Sequence, residues 1–117
     1  MTKIYIDGSG WNGKESKAAI VYDGREEIIR LKEKKTNNEM EYLGLIIALE
    51  KYAKKGDEIF CDSQLVVNQL LKGWKINYLH LKELNSKAGK LLEEKKAILT
   101  WIPREENKAG ILIEKRG

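Results

Sequence analysis

The chain opens on a short β-rich run, Thr2 to Asp7 (TKIYID), that stops at the turn-forming cluster Gly8-Ser9-Gly10. This predicts a first strand with Asp7 at its carboxyl end. Two more such runs, Lys17 to Tyr22 and Glu26 to Lys34, are separated by Asp23-Gly24, a pair favoured in tight hairpin turns. They predict an antiparallel hairpin whose second arm has the mixed polar and apolar pattern of an edge strand. A long helix is predicted from about Asn38 to Lys55, ending before Gly56, with Lys51, Lys54 and Lys55 where the helix dipole favours cations. Glu58 to Asp62 reads as a fourth strand. Helices follow at about Gln64 to Leu71, stopped by Gly73, and at Leu79 to Glu94, which places Leu81, Leu84, Ala88, Leu91 and Leu92 at helical spacing. Ala97 to Ile102 reads as a fifth strand ended by Pro103, and a last helix spans about Glu106 to Arg116.

The order β-β-β-α-β-α-α-β-α predicts an α/β fold, a five-stranded mixed sheet flanked by helices. With 117 residues, short connections and no repeat or low-complexity tract, residues 1–117 are expected to form one domain. Hydrophobic residues are 42% and charged residues 34% of the chain, too apolar for disorder. No apolar run approaches the roughly 18 residues of a membrane-spanning helix, and Met1 to Ile6 does not read as a signal peptide. The single cysteine, Cys61, excludes an internal disulfide and a cysteine-based zinc cluster, and it fits a reducing, cytoplasmic setting. A net charge of +4 is a mild bias toward polyanions and equally suits a well-solvated surface.

The chemistry starts from a carboxylate on the wrong side of a helix. At about 100° per residue, Glu39, Glu50 and Lys54 share a polar stripe, whereas Glu41 falls with Leu45, Ala48 and Tyr52. A carboxylate on an apolar face costs several kcal/mol unless it is paired or bound to a cation. Asp7 and Asp62 each end an apolar strand, where α/β sheets place ligands. If those strands are parallel neighbours, Asp7, Asp62 and Glu41 converge. Taken singly, Asp7 reads equally as a turn residue and Asp62 as a helix cap. Three clustered carboxylates without histidine or thiolate favour Mg2+ or Mn2+ over zinc.

These residues also carry a resemblance. Asp7-Gly8-Ser9 after the first strand, Thr36-Asn37-Asn38 with Glu41-Tyr42 opening the first helix, Asp62-Ser63 with Gln64-Leu65-Val66 after the fourth strand, and Trp101-Ile102-Pro103-Arg104-Glu105-Glu106-Asn107 before the last helix resemble type 1 ribonuclease H. The likeness extends over nearly the whole chain. Leu71 to Tyr78 leaves no room for the extra basic helix of some members, so the chain resembles the compact branch. The resemblance implies a metal-dependent endonuclease that cuts the RNA strand of RNA/DNA hybrids, with Asp7, Glu41 and Asp62 holding two Mg2+ or Mn2+ ions. The partner it implies is hybrid, with double-stranded RNA as a further possible partner, and the protein is expected to be a monomer with no membrane contact.

Substrate contacts are expected from Asn12, Asn37 and Asn38, whose amides suit 2′-hydroxyls and minor-groove edges as well as turn and cap duty. Trp74-Lys75 offers an aromatic ring and a cation where a DNA strand would pass. Gly8, Ser9, Thr36, Ser63, Arg104 and Asn107 join them as motif residues. The departure lies at the family's fourth carboxylate, in a motif that usually reads Asn-x-x-Ala-Asp. Here Asn107-Lys108-Ala109-Gly110 is followed by Ile111, which places isoleucine at that position, with Glu114 one turn on as a candidate substitute acting through water. His80 does not occupy the loop before the last helix, and it is expected at the surface. Trp101 and Cys61 are expected in the core. The missing acid leaves two other readings open: a weakened or inactive member that only binds hybrid or duplex RNA, and a nuclease of the same fold acting on another nucleic acid.

Overall fold

A computed structural model describes residues 2–116. The strands are β1 (Lys3–Ser9), β2 (Ser16–Tyr22), β3 (Arg25–Leu31), β4 (Glu58–Cys61) and β5 (Ile98–Trp101), and the helices are α1 (Asn37–Lys51), α2 (Gln64–Leu71), α3 (Leu79–Lys95) and α4 (Lys108–Arg116). They form one five-stranded mixed sheet of order β3-β2-β1-β4-β5. β1, β2 and β3 pair antiparallel, whereas β1 with β4 and β4 with β5 run parallel. The hairpin turn lies at Asp23-Gly24, with φ of 47° and 74°, the positive values that a tight two-residue turn requires.

One face of the sheet carries the main core, where Ile4, Ile6, Ile20 and Ile59 meet Tyr42, Leu45, Ile46, Ala48 and Leu49 of α1, with Val66, Leu81 and Ala88 from α2 and α3. Burying a side chain of this size is worth about 1.5–3 kcal/mol. The other face holds a smaller cluster in which Ala109, Leu112 and Ile113 of α4 pack on Ala19, beside Tyr5, Val21 and Ile28. No helix is long and apolar enough to cross a membrane among the described residues.

Element limits differ from expectation in ways the pairing explains. β1 does not stop at Asp7 but runs to Ser9, because β2 continues to pair with it through Gly8↔Ala18 and Ser9↔Lys17. α1 ends at Lys51, four residues early, where Ala53 and Tyr52 both donate their amides to the Ala48 carbonyl and leave Lys54 and Lys55 in a turn. The last helix begins at Lys108, after a separate 3-10 turn over Arg104–Glu106. Trp101 is not a core residue. β5 is a short edge strand in which only Leu99 is buried, and Trp101 at its end is 40% exposed. Cys61 is fully buried as expected.

Candidate active site

Parallel pairing in register Lys3↔Glu58, Ile4↔Ile59 and Tyr5↔Phe60, continued by two residues, sets Asp7 opposite Asp62. α1 supplies the third acid by lying directly on β1. A Cβ on Gly8 would fall 2.3 Å from the Glu41 amide nitrogen and from the Met40 carbonyl carbon, so only glycine lets the helix approach this closely. The helix start is held by a capping box in which Thr36 accepts the Glu39 amide and Glu39 accepts the Thr36 amide. Asp7, Glu41 and Asp62 each then offer an oxygen within 4.8 Å of the others. Asp7 and Glu41 are buried, and Asp62 is half-buried.

Burial raises the Asp7 pKa, and the charge of Asp62 adds to the rise against hydrogen bonds with Glu41 and the Gly8 amide. Glu41 is pushed up to about 10, first by burial and then by its hydrogen bond and charge contact with Asp7. A proton therefore does the work of a cation in this cluster. Asp7 Oδ1 is buried without a hydrogen-bond partner, a costly state that a cation would relieve. An all-oxygen donor set with one orphaned oxygen fits a hard divalent ion. The Cys61 Sγ lies 3.6 Å from Glu41 Oε2, but burial pushes its thiol up, so it stays protonated and donates.

The sign of the pH dependence follows. Because the folded pKa of Glu41 lies above the ordinary 4.5, its contribution to stability without divalent ions is complete below about 4.5 and is lost as pH rises toward about 10. Divalent binding requires the deprotonated acids and should release protons. Thermal melts across pH are expected to show a Mg2+ stabilisation that grows with pH. Titrations in buffers of different ionisation enthalpy should report the released proton. A metal effect independent of pH would contradict this charge arrangement.

Asn107 is fully buried, so it does not touch substrate as the motif implied. Its Nδ2 donates to the Ile6 carbonyl and to Asp62 Oδ2, both at 2.9 Å, and its Oδ1 accepts the Ala109 amide. It orients Asp62 and ties the α4 start to β1. Asn107→Ala strands these buried partners and is expected to cost about 1–3 kcal/mol of stability. Second-layer losses of this kind typically weaken metal binding about 10- to 100-fold, which a Mg2+ titration of the melting temperature would read.

The α4 position in contact range of the acids is Gly110. A Cβ on Gly110 would lie 3.2 Å from Asp7 Oδ2 and 3.6 Å from Asp62 Oδ2, whereas Ile111, about 100° further round the helix, is 41% exposed. Counting a fixed spacing from Asn107 gives Ile111 as the motif position and does not reveal this contact. The available signal was a glycine inside a helical pattern with no turn to explain it. Glu114 does not join the cluster either; it is exposed and pairs with Arg104 at 3.7 Å.

The other expected contacts divide. Asn12 Oδ1 accepts the amides of Lys14 and Glu15, and Asn37 Oδ1 accepts the Gly10 amide at 2.6 Å, so both hold loops beside the site. Thr36 and Ser63 cap α1 and α2. Ser9 is half-buried at the end of β1. Asn38 lines a shallow hollow with Thr36, Tyr78, His80 and Leu81. Trp74 and Lys75 are exposed in the turn after α2, and Arg104 is exposed on the 3-10 turn. His80 is at the surface, 3.9 Å from Glu39.

Fold and site together define an α/β protein whose mixed sheet presents a buried, cation-ready acid cluster at the ends of its central strands. The chain belongs to the ribonuclease H family, whose RNase H model matches residues 1–107. That match ends at Asn107, just before the α4 residues that depart from the motif. The bifunctional protein Rv2228c of Mycobacterium tuberculosis is 30% identical over 90% of this chain, which spans only 32% of that relative's length. Solved structures agree. RNase H1 of the archaeon Halobacterium salinarum superposes with a TM-score of 0.77 at 30% identity, covering 95% of this chain and 92% of that one. LC11-RNase H1, isolated from compost by a metagenomic approach, gives 0.81 at 28% identity, covering 98% and 96%. The same LC11 enzyme in complex with an RNA/DNA hybrid gives 0.77 at 28% identity, covering 92% and 89%.

Proposed function

We propose that the chain is a metal-dependent endonuclease that hydrolyses the RNA strand of RNA/DNA hybrids with two divalent ions. The observation that carries this reading is the meeting of Asp7, Glu41 and Asp62 within 4.8 Å, with a buried Asp7 oxygen left unpaired. The hybrid complex of the similar LC11 enzyme supports the substrate class. Asp7, Glu41 and Asp62 would hold the ions, Mg2+ or Mn2+, which when bound supply a water of lowered pKa and charge stabilisation for the departing 3′-oxygen. The chain's part is positional. β1 and β4 set Asp7 and Asp62 side by side, Gly8 admits Glu41, and Asn107 orients Asp62. Asn38, half-buried at the α1 start, would read 2′-hydroxyls.

Cleavage of labelled hybrid, duplex RNA and duplex DNA with Mg2+ or Mn2+ tests the reading directly, and metal-dependent cutting of hybrid RNA alone is expected. Gly110 favours one second reading, a weakened member that binds hybrid and cuts slowly, because among the described residues no acid of α4 joins the cluster. Hybrid binding with slow or absent metal-dependent cleavage would decide for it. Asn38→Ala is expected to narrow the preference for hybrid over duplex DNA. Equal weakening toward every duplex in a binding titration would reduce Asn38 to a helix-terminus residue.

A further inference from the structure

Aromatic rings at and near the surface differ in what engages them, the half-buried Tyr5 and Phe60 and the exposed Tyr78, whose ring lies against His80, each having a partner. Tyr5 and Phe60 stand 5.1 Å apart on β1 and β4, and each lies under a lysine of the same chain, Lys108 at 5.3 Å from Tyr5 and Lys3 at 6.0 Å from Phe60. Trp74 and Trp101 are 46% and 40% exposed, and among the described residues neither ring is stacked on another ring or covered by a cation. They line one groove of about 380 Å3 together with Gln64, Asn68 and Lys72.

The lining is chemically specific. It contains two indoles, two carboxamides and one ammonium group, and no acid, although the acid cluster is close by. Gln64 and Asn68 lie one turn apart on the same side of α2, and their side-chain amides have no hydrogen-bond partner among the described residues. The Trp101 indole N–H donates to the Asp62 carbonyl at 3.0 Å, so the groove adjoins the backbone that carries one of the three acids. Lys75 follows Trp74 on the exposed turn.

Flat apolar faces, free amides and a cation complement a nucleobase through its faces, its hydrogen-bonding edge and the neighbouring phosphate. A base within a duplex offers neither face, because both are covered by its stacked neighbours. We infer that the groove between Trp74 and Trp101 receives an unpaired nucleobase from a strand that runs on beyond the hybrid. The groove thereby makes junctions between duplex and single strand preferred binding sites. This rests on the proposed function only for the duplex that lies over the acids.

The test is a binding titration in EDTA, which prevents cleavage, with a labelled blunt RNA/DNA hybrid and with the same hybrid carrying unpaired thymidines on the DNA strand or unpaired uridines on the RNA strand, at either end. The wild type should bind at least one extended hybrid about tenfold more tightly than the blunt one, the scale on which base–aromatic stacking acts. The extended arm that gains affinity identifies the strand and end. In Trp74→Ala the ratio of the two affinities should fall to about one, and in Trp74→Phe most of it should return. Trp101→Ala should act in the same direction, and Trp74→Ala keeps the test informative if loss of the Trp101 hydrogen bond unfolds the chain. A ratio of one in the wild type, or one that Trp74→Ala leaves unchanged, overturns the inference while hybrid cleavage stands. An extension-dependent gain in a protein that cuts no hybrid supports the groove and rejects the nuclease reading instead. Self-association of the free chain that Trp74→Ala abolishes would assign the groove to a second copy and overturn the inference.

Discussion

Asp7→Asn is expected to lower metal-dependent cleavage of hybrid by at least about a hundredfold while leaving the fold intact. Asp7 is the acid that both others lean on. It shares a hydrogen bond with Glu41, sits opposite Asp62 and carries the orphaned buried oxygen. The amide keeps the shape but removes a charge from a cluster already too acidic for its burial, so the metal-free variant should melt no lower than the wild type and even a few degrees higher. Added Mg2+ should raise the melting temperature of the wild type and barely move that of the variant, because linkage stabilises only the state that binds. Activity measurements and paired melts check both halves. Equal cleavage by variant and wild type would remove Asp7 from the metal site, and a variant that unfolds would mark the residue as structural.

Gly110→Asp carries the second large effect, an expected gain. A Cβ there would already press on Asp7 Oδ2 at 3.2 Å and lie 3.6 Å from Asp62 Oδ2, so the new carboxylate has to turn aside toward the open cleft, where it adds a fourth acid next to these two. In EDTA that added charge should lower the melting temperature, because like charges this close repel in a partly buried site. With Mg2+ the loss should reverse, and turnover should rise about tenfold or more as the outer ion binds more tightly. Gly110→Ala separates the charge from the tight fit of the Cβ. Ile111→Asp should do little, since that side chain faces solvent beside Arg104, Glu105 and Glu114. Glu114→Gln should do little as well, because Glu114 is engaged with Arg104 at the surface. A gain from Ile111→Asp with none from Gly110→Asp would mean that α4 presents a different face to the acids.

Several features were legible from the chain because they depend on local chemistry. Asp23-Gly24 marks a turn whose positive φ values few other pairs tolerate, and the structure has that turn. The helical phase of Glu41 against Leu45 and Ala48 placed an acid on the buried side, where it lies. Asp7 and Asp62 end up side by side because parallel pairing of β1 with β4 aligns residues at fixed offsets, so their meeting was legible on the condition that these two strands are parallel neighbours, which they are.

What the tertiary structure alone decided are relations between segments distant in sequence. Asn107 reads as a surface motif residue until it is found 101 positions from Ile6 and bonded to its carbonyl. Trp101 looks like a core residue by composition, yet β5 is an edge strand, and whether a strand has a neighbour on its far side is written in no local pattern. The same holds for Gly110. A 3-10 turn before α4 sets the phase of that helix, and a rotation of one residue, about 100°, decides whether residue 110 or 111 faces the acids. Spacing along a chain determines which residues share a helix face, but only the packing of α4 on β1 and β2 determines toward what that face points.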